Sequence, residues 1–198
     1  MKIILRNVLD EEHFKEVKAM ADSLYETEVF QPFNGRALTY EPENTDSSIS
    51  LSSWPGDNEN VLDLFDQCKL KKIIRNQIEQ QLSYTIGGSH VITWLNKIEP
   101  GQRLEQAITD DMQNGYARKN NEVSVGFIFN FNTTNYPGLW FGHVGSQAQI
   151  EDAVYIPHEE ENMLVIFSSD MIWGIDINTH PDDRKSLAGY IHFPKAVS

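Results

Sequence analysis

The sequence predicts an α+β chain that is mainly β, a barrel or sandwich of short strands braced by two N-terminal helices. Two stretches with helical apolar spacing come first, over Glu11–Tyr25 and Val61–Leu82. From His90 onward the periodicity shortens to that of strands, in brief runs separated by turn residues. The last of these runs, Asn162 to Phe193, forms two apolar strand segments around a polar corner, followed by a third after a turn.

In chain order, Lys2–Arg6 (KIILR) is a short β-rich run. Asp10 is placed to cap a helix that begins near Glu11, with its early acids at the positive end of the helix dipole. Phe14, Val17, Met20, Ala21 and Leu24 form the apolar stripe of that helix. Phe30 to Asn60 is loop-rich, punctuated by Pro32, Gly35, Pro42, Pro55 and Gly56. A short strand is expected within it at Ala37–Tyr40, with Trp54 as the anchor to the core. Val61–Leu82 is the second helix, striped by Leu62, Phe65, Leu70, Ile73, Ile74, Ile78 and Leu82, and Gly87–Gly88 marks its exit.

His90–Asn96 reads as a strand with His90, Ile92, Trp94 and Asn96 on one face. Glu99–Pro100–Gly101 is a turn, Gln113–Asn121 a polar insertion and Glu122–Phe131 a clear strand. Tyr136–Pro137–Gly138 turns into Leu139–Phe141, and Val154–Ile156 is another short strand. Met163–Phe167, a Ser168–Ser169–Asp170 corner and Met171–Ile175 follow, then the turn cluster Asn178–Asp183. Beyond it Arg184, Ser186, Ala188, Tyr190 and His192 share one strand face, and Lys185, Leu187, Gly189, Ile191 and Phe193 the other. There is no internal repeat. One domain is expected over 1–198, with 1–88 as a helical and loop lead-in to the β region at 89–198.

Composition bounds the function. With 198 residues, 40% of them hydrophobic and 11% aromatic, the chain is long and apolar enough for a globular core. A formal net charge of −13 repels nucleic-acid phosphates, so no nucleic-acid partner is expected. Lys69, Lys71, Lys72 and Arg75 are read as a solvated helix face, and the acids are too scattered to mimic DNA. Cys68 is the sole cysteine, which excludes an internal disulfide and a cysteine-rich zinc site, and it is expected to be buried. The run MKIILRNVLDEEHF is too short in apolar residues for a signal peptide, and no membrane span follows. A cytosolic setting is expected, in a bacterium or an infected cell. Walker, Rossmann, zinc-finger and Gly-x-Ser-x-Gly motifs are absent.

Several patterns in the β region occur together in a known order: Trp94–Leu95–Asn96, Pro100–Gly101, the strand Val123–Phe129, Gly138–Leu139–Trp140–Phe141, and Phe167, Ser168–Ser169, Ile172–Trp173–Gly174, Asn178 and Arg184–Lys185–Ser186. In this the chain resembles the Fe(II)/2-oxoglutarate dioxygenases, in particular the short prolyl-hydroxylase-like proteins of tailed phages and marine bacteria. The resemblance implies a double-stranded β-helix, or jelly roll, braced by the helices. It also implies an iron site made of His-x-Asp or His-x-His plus a distal histidine, and an arginine, aided by a hydroxyl two residues on, that pairs with the far carboxylate of 2-oxoglutarate.

On that frame the iron positions fall at Ala107, Thr109 and Trp173, none of which is an imidazole. With a shifted register Asp110 or Asp111 enters the frame. Arg184 and Ser186 stand at the arginine-x-serine positions, with Asn96 beside them as a further candidate for carboxylate binding. The plain alternative for Arg184 is a surface ion pair after Asp182–Asp183. His90, His143 and His192 share the inward strand parity and are the candidates for a rebuilt metal site. His180–Pro181–Asp182 spells His-x-Asp but lies on a turn, and His158–Glu159–Glu160 is read as a solvated loop.

The resemblance therefore implies a pseudo-enzyme with no cofactor, in which the scaffold serves a protein partner or self-assembly, in the cytoplasm or as part of a virion. The alternative is an active hydroxylase that uses Fe(II) and 2-oxoglutarate at a shifted or rebuilt metal site. Trp173 is expected to fill the volume of the lost iron.

Overall fold

The computed structural model describes residues 1–28, 30–32, 51–52, 59–82, 86–107, 122–132, 138–144, 150–156, 159–168 and 171–194. The expected strand at Ala37–Tyr40, Trp54, the insertion Gln113–Asn121, Thr109, Asp110, Asp111 and His158 lie outside the described residues. None of the described helices is long and apolar enough to cross a membrane.

The first helix, α1 (Glu11–Thr27), begins where the sequence marks it. The Asp10 carboxylate accepts from the His13 backbone N–H at 2.9 Å, and Glu11 and Glu12 occupy the first turn. Phe14, Val17, Ala21 and Tyr25 are its buried face.

The second helical stretch is corrected to two helices, α2 (Glu59–Gln67) and α3 (Leu70–Leu82). Lys69 between them takes a positive φ of 54°, and its N–H closes a tight turn onto the Asp66 carbonyl. The apolar pattern explains the break. Val61, Leu64, Phe65 and Cys68 make one buried stripe, while Leu70, Ile74 and Ile78 make another that is out of phase with it, so the axis must turn to bury both. Cys68 is fully buried, as expected, and burial pushes its thiol up to about 12. Arg75 is half-buried, unlike the exposed Lys71 and Lys72. It donates to the Gly87 carbonyl at 2.7 Å and sits over the Phe193 ring.

The strands are β1 (Lys2–Leu5), β2 (Gln31–Pro32), β3 (Leu51–Ser52), β4 (His90–Ile98), β5 (Leu104–Ala107), β6 (Glu122–Asn130), β7 (Leu139–Val144), β8 (Ile150–Tyr155), β9 (Met163–Ser168), β10 (Ile172–Ile175) and β11 (Arg184–Pro194). They form an antiparallel seven-stranded sheet, ordered β1-β9-β6-β11-β4-β3-β2, and an antiparallel four-stranded sheet, ordered β5-β10-β7-β8.

Strand parity divides the interior into two cores. Leu187, Ile191 and Phe193 on β11, with Phe127 and Phe129 on β6, face the helices and pack with Phe14, Phe65 and Ile74. Ala188 and Tyr190, with Trp94, Ile98, Ile128 and Val165, face the smaller sheet and meet Leu139, Phe141, Trp173 and Ile175. The large sheet is thus apolar on both faces, which explains its near-continuous hydrophobic runs.

Gly189 shows how tightly its centre is built. A Cβ there would lie 2.2 Å from the Ile92 carbonyl oxygen and 2.8 Å from the Phe127 ring. Gly189→Ala is therefore expected to cost about 1–3 kcal/mol through overpacking, read as a lower urea midpoint. A wild-type midpoint in that variant would contradict the packing described.

Candidate functional site

A polar row crosses the inner face of the large sheet. Asn96 on β4, Ser186 on β11 and Asn130 on β6 lie directly opposite one another in the ladders, and all three are buried. From behind the sheet the Tyr25 hydroxyl lies 2.8 Å from the Asn96 carbonyl and 3.0 Å from the Ser186 carbonyl, tying α1 to this row. Burial pushes the Tyr25 phenol well above its ordinary value, so it remains a donor there. Asn96 accepts from Trp94 Nε1 at 2.9 Å, and its own buried Nδ2 has no hydrogen-bond partner among the described residues.

Arg184 opens β11 next to this row and is 1% exposed. Its Nη1 donates to Ser186 Oγ and its Nη2 to Asn130 Oδ1, each at 3.2 Å. Its Nε donates to Glu159 Oε2 at 2.9 Å, and Nη2 reaches the same oxygen. Glu159 Oε1 in turn accepts from the backbone N–H of Leu139 at 2.6 Å and of Gly138 at 3.2 Å.

Two expectations are corrected here. Arg184 makes no surface ion pair with Asp182 or Asp183. Asp183 instead pairs with Lys97, and Arg184 is a buried cation paired with Glu159. Glu159 is not part of a solvated loop. Of the acid run that follows His158, Glu160 and Glu161 point outward to Arg6 and Lys18, while Glu159 turns in and is 1% exposed. A buried guanidinium needs a buried counter-charge, and among the described residues Glu159 supplies it. Of the three candidate carboxylate-binding residues, Arg184 and Ser186 bond to each other. Asn96 sits across the ladder from Ser186 but is bonded to Trp94.

The segment that carries Glu159 is anchored on both sides. Before it, the Ile156 N–H donates to the Leu139 carbonyl at 2.8 Å. After it, Asn162 takes a φ of 56°, and its side chain exchanges hydrogen bonds with the Leu9 backbone at 2.8 and 3.0 Å.

Trp173 on β10 is fully buried and faces the large sheet. In the ladder it stands directly opposite Ala107 on β5, where an irregularity in register follows. Its ring lies against Phe167, at 6.0 Å between centroids, and its Nε1 donates to the Tyr190 hydroxyl at 3.2 Å.

The resemblance assigns iron to these positions, and their donor set does not fit that metal. Indole nitrogen carries its lone pair in the ring and offers none for coordination, and alanine has no ligand atom. Arg184 likewise gives its Nε and Nη2 edge to Glu159, so the carboxylate of a 2-oxo acid would have to displace that side chain there.

The candidate histidines separate. His90 and His192 face each other across β4 and β11, their rings 6.4 Å apart between centroids, with His192 Nδ1 2.8 Å from Ser124 Oγ. His143 lies on β7 in the other sheet, opposite Glu151. His180 sits on the expected turn, where its Nδ1 accepts from the Asp182 N–H at 3.2 Å. Among the described residues no group of three or more His, Cys, Asp and Glu side chains is placed to hold a metal ion.

No protein-family model matches the chain, and no curated protein sequence matches it. Solved structures do. The non-heme α-ketoglutarate-dependent epimerase SnoN from nogalamycin biosynthesis superposes with a TM-score of 0.66 at 11% identity, covering 96% of this chain and 76% of that one. A Pseudomonas putida prolyl-4-hydroxylase gives 0.58 at 16% identity over 98% of this chain and 92% of its own. A Trichoplax adhaerens prolyl hydroxylase, solved with a hypoxia-inducible-factor oxygen degradation domain peptide, gives 0.57 at 15% identity over 98% and 83%. At these identities the shared property is the fold, which is that of the Fe/2-oxoglutarate-dependent oxygenases.

Proposed function

We propose that this chain is a double-stranded β-helix, or jelly-roll, protein of the Fe(II)/2-oxoglutarate dioxygenase type that has lost its iron site and acts by binding. Its occupant would be a protein partner or further copies of itself. The strand order supports the jelly-roll assignment. Successive strands pass from one sheet to the other, β4 and β6 in the large sheet alternating with β5 and β7 in the small one.

The observation that carries the functional reading is Trp173. An indole that is 1% exposed, packed on Phe167 and bonded to Tyr190, stands where the resemblance calls for the distal histidine, opposite an alanine where it calls for the first ligand. Converting an iron corner into apolar packing removes the chemistry and leaves the scaffold stable. A place in a virion or an infected cell is an analogy with the phage proteins the sequence resembles.

The test is calorimetry on metal-stripped protein, titrated with Mn(II) as an oxygen-stable substitute for Fe(II), with and without 2-oxoglutarate. No saturable heat is expected in either titration. Stoichiometric Mn(II) binding that tightens with 2-oxoglutarate would overturn the proposal, and His90→Ala and His192→Ala variants would then identify the ligands. Light scattering separates the two occupants. A concentration-dependent mass supports self-assembly, and a constant monomer mass supports a separate protein partner.

A further inference from the structure

Four donors from two sheets converge on one carboxylate. Arg184 at the start of β11 supplies Nε and Nη2, and Leu139 at the start of β7, with Gly138 just before it, supplies two N–H groups. None of the four belongs to the segment that carries Glu159. The guanidinium is also oriented without Glu159, because Ser186 Oγ and Asn130 Oδ1 accept from its other N–H groups. Such an arrangement, with a forked cation on one oxygen and paired backbone amides on the other, is a built receptor for a carboxylate. Its specificity lies in the cradle and not in the tether that delivers the ligand.

We infer that this is a carboxylate-binding site that the chain fills with its own Glu159, and that it accepts a free monocarboxylate of the acetate class once that side chain is removed. Glu159→Ala deletes one methylene and the carboxylate, the atoms that acetate restores. The site closes because Ile156 and Asn162 anchor the intervening segment to Leu139 and Leu9, which keeps the tethered carboxylate at high effective concentration. A free 2-oxo acid competing for Arg184 must displace an anchored group that already makes every contact the cradle offers. This inference stands apart from the metal question, since it concerns only the Arg184 end of the inter-sheet space.

The experiment measures Tm for wild type, Glu159→Ala and the double variant Glu159→Ala/Arg184→Met, each titrated with sodium acetate and, at matched ionic strength, with sodium chloride. Glu159→Ala should start lower and recover saturably in acetate alone, by about 3–6 °C at roughly ten times the Kd. Wild type and the double variant should follow their chloride controls.

Recovery no greater than in chloride would overturn the inference. So would an equal recovery in the double variant, or an acetate response in wild type. If Glu159→Ala does not fold in chloride, refolding yield becomes the readout. Higher yield in acetate supports the site, and equal yield in both salts overturns it. Mn(II) calorimetry on the same proteins separates this result from the fate of the iron-site proposal.

Discussion

Arg184→Met should lower folding stability by about 3–5 kcal/mol, the range for breaking one side of a buried ion pair. The Arg184 and Glu159 side chains are 1% and 0% exposed, so no solvent screens the charge that remains. Methionine also leaves Ser186 Oγ and Asn130 Oδ1 without the donor they now share. Pairing the change with Glu159→Gln should recover a large part of the loss. A glutamine is neutral, and its carbonyl oxygen can still accept from Gly138 and Leu139. Urea titrations of the two single variants and the double variant give the cycle directly. Strictly additive losses would mean that the two groups are not coupled, contrary to the geometry.

Trp173→Ala is the other large effect, expected at about 3–5 kcal/mol for an aromatic deleted from a packed core. The cost follows from its surroundings. The ring packs against Phe167 in one buried cluster with Phe141 and Leu139, and its N–H donates to the Tyr190 hydroxyl, a bond the variant loses. Trp173→Phe should lose much less, since it keeps most of the volume and gives up the hydrogen bond. A loss below about 1 kcal/mol for alanine, again by urea titration, would show that the indole borders solvent, and the filled-corner account would fail.

Much of the fold was legible because strand parity is rigid. Once Arg184 and Ser186 were assigned to one face of β11, Ala188 and Tyr190 had to follow them inward and Leu187 and Ile191 outward, and the two cores bear this out. The Asp10 cap was equally readable, since a cap is a local contact.

The break at Lys69 was not legible, because a single leucine-rich stripe and two out-of-phase stripes differ by one residue in register. Glu159 was missed for a deeper reason. Nothing in His158–Glu159–Glu160–Glu161 distinguishes the acid that turns inward from its neighbours, because the partner that selects it is 25 residues away. The one available signal was indirect: an arginine on an inward strand face demands an anion, and the chain has to supply it when no ligand does.

The position of β11 has a consequence for how the protein is made. This strand lies at the middle of the large sheet, paired with β6 on one side and β4 on the other over almost its full length. The strands β4, β3 and β2 cannot join β1, β9 and β6 until residues 184–194 have left the ribosome. Until then both half-sheets present unpaired edges, and the helices lack a complete surface to pack on. Completion of this region therefore waits on one late strand and is dominated by distant pairings, which makes for slow folding and a nascent chain exposed to aggregation.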